Sequence, residues 1–277
     1  GGLTGGHISG SDPTAGNNTY YIRDMGGTSF AAPIIAGGAA LLVDLARDRF
    51  GTPESVDGRV IKAVLLNSAD KPAGWTNAPF LADGVLTTTR GLDYASGAGA
   101  MNLDRAFDQF TAGTADLPGE GGGTIKRIGW DFGLAAENAP VEYLFDESLH
   151  AGQVMTATLT WFVNRTTDVA GLTAADVQFS DMDLQVWRQD GADWNLVAQS
   201  ASGYNNVEHL WFALPADGNY QLRVVWFGEN YDLAGLANEE YYAVAWSVVP
   251  EPGTIALLAV GATALIARRR IRRTSFR

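Results

Sequence analysis

"QVMTATLTWFV", Gln153–Val163, alternates apolar and polar residues almost without a break. Side chains alternate with a period of two along a strand. Met155, Ala157, Leu159, Trp161 and Val163 therefore fall on one side of an extended chain, and Thr156, Thr158 and Thr160 on the other. The alternation returns in Tyr220, Leu222, Val224 and Trp226, and again in Tyr242, Val244, Trp246 and Val248. About eight such segments separated by turn residues predict an all-β antiparallel sandwich or jelly roll over residues 124–249.

Outward from this region, "TAGTADLPGEGGG" (Thr111–Gly123) is rich in glycine and lacks periodicity, which sets a linker at 114–123 and an N-terminal region at 1–113. That region carries helical patterns. One runs from Ser29 through Arg47. A second, Val56 to Ala69, is amphipathic, with Val60, Ile61, Val64 and Leu65 on one side, and a third occupies the last ten or so residues of "GLDYASGAGAMNLDRAFDQF".

Composition narrows the function. With 18% charged and 46% hydrophobic residues in 277, the chain is a folded one with room for more than one core. It has no cysteine, which excludes a disulfide framework, a thiol nucleophile and a thiolate metal site. Six of the 19 basic residues lie after Ala267, and one of the 31 acidic residues, Glu251, lies after Val249. Residues 1–249 are left with 13 basic and 30 acidic side chains, a net charge of −17. So acidic a body repels phosphate backbones and argues against nucleic acid as a partner. The sequence starts at Gly1 with no signal peptide before the folded part, so a processed chain or a piece of a longer one is expected.

"GGTSFAAPIIAGGAALL" (Gly26–Leu42) places a small hydroxyl, Ser29, at the mouth of an apolar helix. Serine alone is a poor nucleophile; it needs a base for its proton and donors for an oxyanion. Gly26 and Gly27 permit a tight turn and close backbone approach, and the N–H groups and dipole of a helix start favour negative charge. Pro33 is expected in the first turn, where its missing N–H costs little. The small residues Ala36, Gly37, Gly38, Ala39 and Ala40 predict a helix packed tightly within its domain.

Gly27-Thr28-Ser29-Phe30-Ala31-Ala32-Pro33 with Ala36-Gly37 resembles the serine motif of the subtilisin-like serine peptidases. "VIKAVLLNSAD" and "LDYASGAGAMNLDRAF" resemble, in order and distance, the segments that follow that motif. The resemblance covers about residues 1–113 and implies a partial α/β subtilisin-like domain, the C-terminal third or so of the whole. It further implies that Ser29 is the catalytic nucleophile and that its backbone N–H contributes to the oxyanion hole. The family's aspartate, its histidine and an oxyanion-hole asparagine would all precede this region. Neither the Asp-Thr/Ser-Gly nor the His-Gly-Thr-His segment occurs in the 28 residues before Ser29. His7, with Asp12 and Asp24 nearby, is the one local base to consider, and a plain loop histidine is the expected reading. His150 and His209 are expected in surface or strand-packing roles.

In the β region, Asp181 and Asp183 of "SDMDLQVW" share a face at the start of a strand and are the candidate ligands for a hard cation such as calcium. No other cofactor is expected. The strand order is similar to that of the β-sandwich domains appended to secreted bacterial peptidases. The tail is more specific. Pro250-Glu251-Pro252, fourteen uncharged residues (254–267) and five arginines within 268–273 resemble the PEP-CTERM sorting signal of Gram-negative bacteria. That resemblance implies export, processing by an exosortase-type enzyme, and a C-terminal apolar helix over 250–273 that holds the chain to the membrane or cell surface, its arginines acting as a topology signal. The expected protein is an exported serine endopeptidase acting on protein or peptide substrates, present as a fragment and inactive alone. The alternative is a surface adhesion or binding protein that carries an inactive peptidase remnant.

Overall fold

The structure, a computed structural model, describes residues 6–10 and 20–25 at the level of the backbone and residues 27–114 and 121–249 in full. The chain is mostly β, with mixed sheets and few helices. In chain order the elements begin with β1 (Gly6–Gly10), β2 (Tyr20–Met25), α1 (Thr28–Arg49), α2 (Gly58–Asn67), β3 (Phe80–Ala82), β4 (Val85–Thr88) and α3 (Leu103–Ala112). There follow β5 (Gly123–Ile125), β6 (Ile128–Ala136), β7 (Val141–Phe145), β8 (Val154–Trp161), β9 (Asn164–Asp168) and β10 (Thr173–Asp190). The last are β11 (Asp193–Ser200), β12 (Val207–Ala213), β13 (Tyr220–Asp232) and β14 (Glu239–Val249).

Two sheets face each other. One has eight strands in the order β3-β4-β11-β10-β13-β7-β5, with β9 paired to β10; the other has four, β12-β8-β14-β6. The period-two residues meet between them. Met155, Leu159 and Trp161 of β8, Leu222 and Val224 of β13, and Tyr242, Val244 and Trp246 of β14 all lie in this core. The sandwich departs from the antiparallel expectation at two places in the larger sheet, where β4 runs parallel to β11 and β5 parallel to β7. The β3–β4 pair, which belongs by sequence to the N-terminal region, thus extends a sheet of the β region.

The threonines of β8 face neither the core nor water. A helical layer covers that side of the four-stranded sheet, and Thr158 and Thr160 are fully buried beneath it. Asn67, the last residue of α2, accepts hydrogen bonds from Thr156 Oγ1 (3.1 Å) and Thr158 Oγ1 (3.0 Å), while Thr160 Oγ1 donates to the Arg59 carbonyl (2.9 Å). Buried polar groups must be partnered, and the threonine hydroxyls find those partners on α2. A second core joins helices to sheet. It contains Leu42 and Ala46 of α1, Val60, Ile61 and Val64 of α2, Ala106 and Phe110 of α3, and Trp130, Ala243 and Ala245 of the sheet.

Two helices of this layer, α2 and α3, start on a side-chain cap, whereas α1 starts after Gly27 without one. Asp57 caps α2 by accepting from Arg59 N (2.8 Å), and Asn102 caps α3 by accepting from Arg105 N (3.0 Å). Gly113, at φ 86°, ends α3. Arg59 then fastens α2 to the sheet. It pairs with Asp57, donates to the Tyr241 carbonyl (3.2 Å), and lies 5.0, 5.2 and 5.7 Å from the rings of Phe132, Phe162 and Tyr241. Arg59→Ala is expected to cost about 1–3 kcal/mol, read as a lower urea midpoint. An unchanged midpoint would count against this fastening.

Candidate functional site

Ser29 is the second residue of α1 and is exposed. Gly27, just before the helix, sits at φ 154° and ψ 169°, and its carbonyl accepts from Phe30 N (3.1 Å) and Ala31 N (3.3 Å). The Ser29 N–H is therefore among the first of the helix, where no carbonyl one turn back exists to receive it. A side-chain Cβ at Gly27 would have open space around it, with nothing within 4 Å. Pro33 lies in the second turn rather than the first, because α1 begins at Thr28. Its missing N–H removes the donor that the Ser29 carbonyl would otherwise receive. The N–H and the carbonyl of Ser29 thus both lack the usual helical partner among the described residues.

The helix behind Ser29 packs along one stripe only. Gly38, Leu42 and Ala46 are buried at a spacing of four, and Gly38 lies so close to the start of α3 that a Cβ would come 2.7 Å from Met101 Sδ, just before that helix, and 2.9 Å from Leu103 Cδ2. The rest of its apolar surface is open, with Ile34, Ile35 and Leu41 at 42%, 44% and 64% exposure. The tight packing expected from the small residues holds at Gly38 and fails at Gly37, which has nothing within 4 Å. No other described element lies over that face. By length and apolar composition alone α1 would also suffice to cross a bilayer.

The histidines divide as follows. His7 stands in β1, within the β1–β2 hairpin and beside its register shift, so it is part of a strand rather than a loop. His150 is exposed, 3.7 Å from Asp217. His209 is wholly buried, with Nδ1 2.7 Å from Thr158 Oγ1 and its ring edge-on to Trp75. Burial holds it well below the usual histidine range, with the Lys71 charge acting in the same direction. It is a packing residue, neutral at physiological pH. Among the described residues no side chain bonds to Ser29 Oγ.

Four other ionisable groups are buried in or against the sandwich. Burial lifts Glu208 to about 8, although Ser200 and Ser202 hydrogen-bond to it. Burial and the neighbouring Asp181 charge lift Asp183 to about 7. Asp131, bonded by Thr114 and close to the Tyr143–Tyr242 hydroxyl pair, is lifted to about 6, and Glu240 to about 7. Sequence reasoning missed Glu208, whose one visible signal is a charge in phase with the core residues Leu210 and Phe212 of β12. All four bind protons more tightly folded than unfolded, so their contribution to stability is present near pH 4 and lost as pH rises through 6–8. The melting temperature should therefore be higher at pH 5 than at pH 8. A flat profile between those values would show that the groups are not perturbed in solution.

Asp181 and Asp183 lie in the middle of β10 rather than at the start of a strand, and a register shift between Asp181 and Met182 interrupts the regular alternation there. Among the described residues no group of three or more His, Asp or Glu forms a ready-made metal cage. Pro250, Glu251, Pro252 and the C-terminal apolar helix fall outside the described residues.

The subtilase family model matches residues 4–99, and the model of the PEP-CTERM protein-sorting motif matches residues 248–273. No curated protein matches the chain. Among solved structures, the chain is similar to the pre-peptidase C-terminal domain of a collagenase from Bacillus anthracis, at 14% identity over 48% of this chain and 100% of that one, TM-score 0.30. It is also similar to a surface-associated copper-binding protein of Methylomicrobium album BG8, at 10% identity over 47% of this chain and 99% of that one, TM-score 0.31. A periplasmic inhibitor of g-type lysozyme from Salmonella Typhimurium is a further match, at 14% identity over 46% and 99%, TM-score 0.27.

Proposed function

We propose that the chain is the C-terminal part of an exported subtilisin-like serine endopeptidase, with Ser29 as its nucleophile. The observation that carries this reading is the exposed start of α1, with the Ser29 N–H in its first turn and without a helical acceptor among the described residues, inside the segment that matches the subtilase family. In the reaction, Ser29 Oγ attacks the scissile carbonyl of a protein or peptide substrate. Its own N–H then donates to the oxyanion that forms. The base that takes the Oγ proton, and the aspartate that orients it, come from sequence upstream of Gly1. The open apolar face of α1 supports this arrangement, since upstream elements of such a domain would cover Ile34, Ile35 and Leu41.

The test is a serine-directed fluorophosphonate. The 277-residue chain alone should label poorly, and a polypeptide extended upstream should label at Ser29. Robust labelling or proteolysis by the chain alone would overturn the need for an upstream base and return His7 to consideration.

The tail completes the reading. The sorting-motif match supports export and processing by exosortase-type machinery; on this reading the apolar segment is held at the membrane with the arginines on its cytoplasmic side. Changing Pro250-Glu251-Pro252 to alanines should leave membrane insertion intact and block trimming in a host with an exosortase. Normal trimming of that variant would leave only a generic anchor.

A further inference from the structure

We propose that the open end of the four-stranded sheet, centred on Trp211, rests on the lipid–water interface of the membrane that holds the tail. The membrane anchoring of the tail, proposed above, is its premise. The patch follows from the strand register. Trp211 and Ala213 of β12 lie opposite Thr156 and Val154 of β8, which in turn lie opposite Ser247 and Val249 of β14. All six share the face on which Thr158 and Thr160 meet α2, because residues two apart on a strand point the same way. That helix ends at Asn67, which accepts from Thr156 Oγ1 (3.1 Å). Past this point Trp211 is 43% exposed and Val249 47%, Ala213 is exposed, and Val154 between them is half-buried. Ile128 of β6, opposite Ser247 and half-buried as well, extends the row. Trp75 stands edge-on to Trp211 at 5.5 Å and packs against one side of its ring.

Where the chain goes next names the occupant. β14 ends at Val249, and only Pro250-Glu251-Pro252-Gly253 precede the uncharged residues 254–267. Four residues span at most about 14 Å, so a tail seated in hydrocarbon keeps Val249 within that reach of the bilayer. A contiguous exposed apolar patch marks a contact with a membrane or a protein, and the short reach of the tail selects the membrane. The patch is wider than a tether needs. Ala213 stands two strands away from Val249, roughly 10 Å to the side. Tryptophan suits this place, since its apolar ring and polar N–H collect at membrane–water interfaces. The charged side chains just before Ile128 are paired, Lys126 with Asp146 and Arg127 with Glu147, so the contact does not call for anionic lipid. Leu172 is 90% exposed too, but it lies at the tip of the β9–β10 hairpin, which continues from the other end of β8 and points away from the tail.

The experiment uses the full chain, which has no cysteine of its own, in vesicles of phosphatidylethanolamine and phosphatidylglycerol. A nitroxide is attached to single cysteines made by Ala213→Cys in the patch, Leu172→Cys at the far end and Leu257→Cys in the tail. Each probe is read for access to oxygen, which enters lipid, and to a nickel chelate, which stays in water. The probe at 257 should read as deep and the probe at 172 as aqueous. The probe at 213 should lose most of its access to the nickel chelate while keeping its access to oxygen. Adding Trp211→Asp should return that probe to water, leave the probe at 257 deep, and leave circular dichroism unchanged. An aqueous reading at 213 beside a deep reading at 257 would overturn the docking while the anchored tail stands. An aqueous reading at 257 would remove the anchored tail, and the docking with it. Spin–spin broadening at 213 that fades on dilution with unlabelled chain would assign the patch to a second copy and overturn the lipid contact.

Discussion

Ser29→Ala, made in a polypeptide that carries the upstream acid and base, should lower turnover by on the order of 10⁶-fold, the loss that removing the serine of such a triad brings. The size follows from what Oγ supplies. Without it no acyl-enzyme forms, and what remains is substrate binding and the oxyanion donors. The fold should be untouched, because Ser29 is exposed and its side chain bonds to nothing among the described residues. Circular dichroism and melting temperature should match the unsubstituted protein while hydrolysis disappears. Undiminished hydrolysis would remove Ser29 from the nucleophile's role and favour a binding or adhesion protein that keeps only the outline of a peptidase.

The sandwich is legible in the sequence because one physical signal governs it. A strand between a core and another surface alternates, and Met155 to Trp161 and Tyr242 to Val248 obey that rule to the residue. What covers the other side is not legible. Thr156, Thr158 and Thr160 read as a polar face in any sequence pattern, yet α2 lies on them and uses their hydroxyls. The pairing of β4 with β11 joins residues more than a hundred apart through a short parallel contact, and no local periodicity encodes such a partner. At Ser29 the motif is plain, but its chemistry depends on groups outside this sequence. Pro33 falls one turn later than the motif predicts because the helix starts at Thr28, and the ends of a helix are the least certain part of any pattern.

Trp130→Ala tests whether the helical layer and the sandwich depend on each other. Trp130 is fully buried, stacked on Phe110 at 5.1 Å and edge-on to Phe50 at 5.4 Å, and its Nε1 donates to the Phe110 carbonyl (2.8 Å). Removing the ring opens a large cavity and takes away one of the two donors to that carbonyl, which keeps the Gly113 N–H (3.2 Å), at a cost of about 3–5 kcal/mol, a large share of the roughly 5–15 kcal/mol that holds a typical domain folded. The loss falls on the core between helices and sheet, while the core between the two sheets keeps its own contacts. Helical circular dichroism should therefore be lost at lower urea than the β signal, separating a transition that is single in the unsubstituted chain. Trp161→Ala, which strikes the core between the sheets where Trp161 Nε1 donates to the Ser180 carbonyl (2.9 Å), should instead lower both signals together. The helices need the sheet beneath them, whereas the sheets do not need the helices to find each other. If Trp130→Ala leaves the urea midpoint unchanged, the second core does not hold the helices to the sandwich.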